Sequence, residues 1–207
     1  MLVSRCANYI YALLLMVPLA VFAAEPSQVD GLKQSVYKTI ELLKDPTFNT
    51  VEKRVERRDQ LRRLIYDQFD FTTMSQGAVG PKWHSFTATQ QQRFIELFRQ
   101  LLESSYLGKI ENYQGETVEF AREIMENQNI IRVESIVHHK NQDYHLSYRL
   151  LNGSSGWRVF DIAIEGVSLI NNYRAQFQQI LGSSTVDGLL EKLAQKAATI
   201  DNIGNKP

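Results

Sequence analysis

Cysteine is nearly absent from this chain. The only one in 207 residues is Cys6, which precedes an apolar run. The body that follows has no thiol, so disulfides are excluded as a brace and the core alone must hold the fold. An excess of one charge is also missing. Lys plus Arg and Asp plus Glu number 23 each, so the broad basic surface of a nucleic-acid binder is not there. Catalytic signatures are missing as well. No Gly-x-Ser-x-Gly elbow, His-Glu-x-x-His helix, paired Cys-x-x-Cys or phosphate-cradling glycine loop occurs. "GSSG" at Gly153–Gly156 is one residue short of an elbow and reads as a hairpin turn.

Two sets of ionisable residues need weighing against that background. A hairpin turning at Asn141-Gln142 would bring His138 beside His145, half of a zinc site, but no third ligand follows and no metal or cofactor is assigned. Asp161 and Glu165, four apart on a strand, would sit ~13 Å from each other. That exceeds the ~5–9.5 Å of a glycosidase carboxylate pair. A surface charge network with Arg149 and Glu134 accounts for Asp161 better, and no catalytic residue is assigned.

What is there begins with a leader. "MLVSRCANYIYALLLMVPLAVFAAEPSQ" has one positive charge, a short apolar stretch and small residues at Ala23 and Ala24, the layout of a cleaved secretory signal over residues 1–24. The remainder reads as one domain over residues 25–200 with a loose tail at 201–207. A hydrophobic fraction of 43% supplies its core.

Helical spacing dominates residues 27–107. Val29, Leu32, Val36, Ile40 and Leu43 form one stripe, stopped at Asp45-Pro46. Val51, Val55, Leu61, Leu64, Ile65 and Phe69 form a second, opposite a face of arginines that Glu52, Glu56 and Asp59 can neutralise. Glycines and Pro81 make "FDFTTMSQGAVGPKWHSF" a connector. Thr87 and Gln90 have capping-box spacing ahead of Phe94, Leu97, Phe98, Leu101, Leu102 and Tyr106, and Gly108 ends that helix.

From about 116 to 165 the period falls to two. Four strands are expected, paired as an antiparallel meander. Partner numbers summing to 283 set Val137 opposite Leu146, Ser135 opposite Tyr148, Val133 opposite Leu150 and Glu134 opposite Arg149. Arg158, Phe160, Ile162 and Ile164 would then face Leu150, Tyr148, Leu146 and Tyr144. Beyond Gly166 the period lengthens again to Ile170, Tyr173, Phe177 and Leu181, with Ser168 as cap and Gly182 as stop. A last helix completes the C-terminal pair over 168–198. The fold class is α+β, with one face of the sheet covered by the flanking helices.

"VFDIAIEGVSLINNYRAQFQQIL" (159–181) closely resembles the signature of the MlaC family, periplasmic phospholipid-transport proteins also known from toluene tolerance. "FDFTTMSQGAVGPKWHSFTATQQQRFIELFRQLLESSYLGKI" is similar to the family's Phe-Asp start, Gly-x-x-Trp connector and Arg-Phe helix ending at a tyrosine. The matching positions are Gly80, Trp83, Tyr106, Asp161, Glu165, Gly166, Val167, Ser168, Tyr173, Arg174 and Phe177. The resemblance implies a monomeric, non-enzymatic periplasmic carrier with acyl tails held between sheet and helices. It also implies partners: an inner-membrane ABC-type lipid transporter complex and an outer-membrane lipoprotein–porin complex, serving outer-membrane lipid asymmetry.

On that reading the sheet floor comprises Val133, Val137, Tyr144, Leu146, Tyr148, Leu150, Phe160, Ile162 and Ile164. The helical walls comprise Phe94, Phe98, Leu101, Leu102, Tyr106, Ile170, Tyr173 and Phe177. Arg158, at the turn end of the apolar face, is the leading headgroup candidate, ahead of Arg149 and Arg174. The same residues would equally build a filled core. That leaves open an interaction module docking through the basic helix at Arg54–Arg63, a carrier of another lipid such as a hopanoid, and a lipid hydrolase using Ser168 or His138.

Overall fold

The computed structural model describes residues 29–48, 50 and 52–204, with side chains through 199. The leader at 1–24, Val51 and the last three residues lie outside the described residues. Helix α1 (Asp30–Lys44) and helix α2 (Arg54–Tyr66) form a hairpin around a 3₁₀ turn at Pro46–Phe48. Ser35 Oγ joins them by donating to the Leu64 carbonyl at 2.7 Å.

The stretch read as a connector is instead helix α3 (Phe71–Val79) followed by a 3₁₀ helix (Gly80–Ser85). Asp70 caps α3: its Oδ1 accepts from the Thr73 amide at 2.9 Å and its Oδ2 from the Thr73 hydroxyl at 2.6 Å. The turn chemistry is still used, one step later. Gly80 ends α3 at φ +71° and ψ −147°, backbone that side chains rarely adopt. Helix α4 (Ala88–Glu111) opens on the expected capping box, Thr87 and Gln90 bonding each other's backbone amides. It runs three residues past Gly108, which does not stop it.

The sheet is a five-stranded antiparallel meander, not four-stranded: β1 (Thr117–Asn127), β2 (Ile130–His139), β3 (Gln142–Gly153), β4 (Gly156–Ile164) and the two-residue β5 (Val167–Ser168). The fifth strand returns across a turn at Glu165 (φ 49°) and Gly166 (φ 76°), so Ile164 pairs with Val167. Helix α5 (Leu169–Ser183) follows directly, and helix α6 (Val186–Gly204) stays helical beyond residue 200, where the sequence reading sets a loose tail.

Register differs from expectation in two places. The β2–β3 turn is at Lys140-Asn141, with Lys140 at φ 53°, so partner numbers sum two lower than expected: Val137 faces Tyr144, Ser135 faces Leu146, Val133 faces Tyr148 and Glu134 faces Ser147. A shift by two keeps every side chain on its face and changes only its neighbour. The second difference does change faces. A bulge between Arg149 and Leu150 sets Leu150 opposite Val159 and Leu151 opposite Arg158. Val159 therefore joins Ile162 and Ile164 on the inner face, and Phe160 and Arg158 leave it. Beside the bulge, the chain entering α3 docks on β4: Val159 N–H donates to the Gln68 carbonyl at 2.8 Å and Asp70 N–H to the Val159 carbonyl at 2.9 Å.

Two apolar cores result. The larger lies among α3, α4, α5 and α6 and is rich in rings, including Trp83, Phe86, Phe94, Phe98, Tyr173 and Phe177. Its rings pack edge to face, as at Phe94–Phe177 (5.4 Å between centroids) and Phe98–Tyr173 (5.1 Å). The smaller joins Val29 and Leu32 to Ile131, Val133, Tyr148, Leu150 and Val159 on the inner sheet face.

Candidate apolar cavity

A cavity of about 540 Å³ opens where the two cores do not meet. Its size is within the ~300–1,000 Å³ of ordinary ligand sites. The floor is Val118 of β1, Val137 of β2, Leu146 and Tyr148 of β3, and Ile162 and Ile164 of β4. Helix α1 forms the roof with Leu32, Val36, Ile40 and Leu43, and Ile65, Phe69, Phe71 and Met74 continue it through α2 and α3. Helix α4 closes one side with Leu102, Tyr106, Leu107 and Ile110. Ile164 is 43% exposed although it lines the cavity, so the space reaches the surface near the β4–β5 turn.

Of the seventeen side chains expected to hold tails, Leu102, Tyr106, Val137, Leu146, Tyr148, Ile162 and Ile164 line this space. Phe94, Phe98, Leu101, Ile170, Tyr173 and Phe177 instead fill the helical core, because α5 and α6 pack directly onto α3 and α4. Val133 and Leu150 are sealed under α1 in the second core. Tyr144 lies at the exposed sheet end, and the bulge turns Phe160 to the outer side, against the helical core. The α1 and α2 stripes contribute much of the lining, although the sequence pattern by itself assigns them no place in the pocket. Their 3.6-residue period was visible; the layer they cover was not.

None of the three arginines expected at a headgroup is among the lining residues. Arg158 lies opposite Leu151 and donates to the Trp157 carbonyl at 3.1 Å. Arg149 donates twice to Glu126 and lies 5.0 Å over the Phe160 ring, a contact available only because Phe160 has left the inner face. Arg174 Nε donates to the Gly77 carbonyl at 2.6 Å and ties α5 to α3. The cations that do line the cavity are Arg62, Arg99 and Lys109. Arg62 Nε donates to Glu103 Oε1 at 2.5 Å, and the Tyr66 hydroxyl donates to Glu103 Oε2. Burial and the Glu103 carboxylate push the Tyr66 phenol well above its ordinary range. Burial alone raises the Tyr148 phenol on the floor.

The quoted signature around Gly166 turns out to be architecture. Asp161, 7% exposed, accepts from Ser168 Oγ at 2.6 Å and from the Ile170 amide at 3.1 Å, and Ser168 Oγ accepts from the Asn171 amide at 3.0 Å. Glu165 accepts from the His145 amide at 2.6 Å. His138 pairs with Asp143 at 2.7 Å, so the two histidines are not cross-strand partners, and the Asp143 carboxylate raises the His138 pKa above its ordinary value.

The sequence matches the family described as MlaC protein over residues 33–195. It is 28% identical, over 126 residues, to the intermembrane phospholipid transport system binding protein MlaC of Haemophilus influenzae. That match spans 58% of this chain and 58% of the length of the relative. The fold superposes on the phospholipid-binding protein from Ralstonia solanacearum, solved in complex with a phospholipid, with a TM-score of 0.72 and 28% identity, covering 83% of this chain and 97% of that one. With the family pattern running over residues 33–195, from within α1 into α6, the chain belongs to the MlaC family.

Proposed function

We propose that the cavity holds the acyl tails of a phospholipid and that the protein carries this lipid through the periplasm without chemical change. The observation that supports this most is an apolar space left unfilled between two well-packed cores. Water gains little from such a wall, whereas each methylene buried there contributes about 0.8 kcal/mol. The phospholipid in the Ralstonia solanacearum neighbour points to the same ligand class. Export through residues 1–24 would place the carrier between two membranes. The inner-membrane transporter and outer-membrane lipoprotein–porin complexes named above are its proposed partners, and maintenance of outer-membrane lipid asymmetry its proposed role.

Uptake from vesicles tests the site. The delipidated mature protein should extract labelled phospholipid from liposomes, and Leu146→Trp, which projects a large ring into the floor, should cut that uptake at least tenfold while leaving the circular-dichroism spectrum unchanged. Undiminished uptake by a folded Leu146→Trp protein would remove the cavity from the account.

A further inference from the structure

Among the described residues, the charged side chains lining the cavity fall into two places. Lys109 and Glu116 lie towards the end of α4 and the start of β1, and a tighter group lies between α2 and α4. In that group Glu103 joins Arg62 and Tyr66, while Arg99 lies 4.8 Å over the Tyr66 ring. Each guanidinium also meets a carboxylate on its own helix: Arg62 Nη1 donates to Asp59 at 2.6 Å, its second carboxylate, and Arg99 Nη2 donates to Glu96 at 2.5 Å. A guanidinium has five N–H donors. Among the described residues Arg62 Nη2 and Arg99 Nε and Nη1 make no hydrogen bond, and these donors remain able to meet an anion.

We infer that Arg62, Arg99 and Glu103 form the subsite for the polar end of the ligand, suited to a headgroup that has both a phosphodiester and an ammonium. The inference rests on the phospholipid reading of the cavity. Side-chain exposures of 35% for Arg62, 31% for Arg99 and 17% for Glu103 place the group at the boundary between the apolar wall and water, where a lipid changes from tail to head. The arginines match phosphate oxygens in planar, charge-assisted geometry. Two guanidiniums face three carboxylates here, so the group is not a net cation that would select anionic lipids. Glu103 repels a head that has only negative charge and attracts an ammonium. Tyr66 occupies one Glu103 oxygen and limits that attraction.

The test is competitive loading. The mature protein is exposed to vesicles of equal phosphatidylethanolamine and phosphatidylglycerol, and the bound lipid is extracted and quantified. The wild type should be enriched in phosphatidylethanolamine by roughly fivefold, the size of one partly screened ion pair. Glu103→Gln should abolish that preference, and Tyr66→Phe, which frees the second Glu103 oxygen, should increase it. Purely structural contacts between α2 and α4 would instead change uptake of both lipids equally. An unselective wild type, or variants with wild-type ratios and wild-type melting, would overturn the subsite. A wild type that takes neither lipid would overturn the carrier reading itself. Glycerophosphoethanolamine, which has the same head and no tails, should leave bound lipid in place; displacement at matched concentration would mean that the subsite serves a soluble diester.

Discussion

Asp161 shows how one side chain can organise a junction. It is nearly buried, and its two oxygens take the Ser168 hydroxyl and the Ile170 amide, so the first turn of α5 is fixed against β4. Asp161→Ala would leave the Ile170 N–H buried without a partner and free the Ser168 cap. The expected loss is about 2 kcal/mol of unfolding free energy. Urea denaturation should show it as a lower midpoint with an unchanged slope, and a midpoint equal to wild type would contradict the capping role. The sequence made Ser168 legible as a cap but assigned Asp161 to a surface network with Arg149. Arg149 does pair with Asp161 across the strands, yet its guanidinium goes to Glu126. Backbone pairing was inferable; the direction of a long side chain was not.

At the scale of elements, α3 and α5 approach closely at Gly77. A Cβ built there would lie 2.9 Å from Ile170 Cγ2, closer than packed carbons tolerate. Gly77→Ala should therefore destabilise despite the ~1 kcal/mol that alanine adds to a helix interior. Overpacking costs about 1–3 kcal/mol, which leaves a net loss of about 1 kcal/mol. A double-mutant cycle with Ile170→Ala should show positive coupling, and additive single effects would place the clash elsewhere. Helix α3 was hidden in the sequence because Gly77, Gly80 and Pro81 are ordinary turn residues. The signal that could have revealed it is Asp70 three residues before Thr73, the spacing of a cap. The β4 bulge had no such signal. It depends on Gln68 and Asp70 bonding to Val159 from a distant segment, and no local pattern near 160 encodes that contact.

For the molecule as a whole, the decisive feature is that two cores fill and the space between them does not. Alternation and helix period identified the layers, the apolar sheet face and most of its residues. They could not divide apolar stripes into packing and lining, because Phe98 and Leu102 obey the same period on the same helix, and only Leu102 borders the cavity. The central claim is that lipid occupies this space. Native mass spectrometry of the protein purified without detergent, followed by lipid extraction, tests it most directly. The account predicts a protein mass accompanied by an adduct that dissociates on activation and is recovered as phospholipid. A protein that is purified without an adduct, and stays without one after incubation with liposomes, would contradict it.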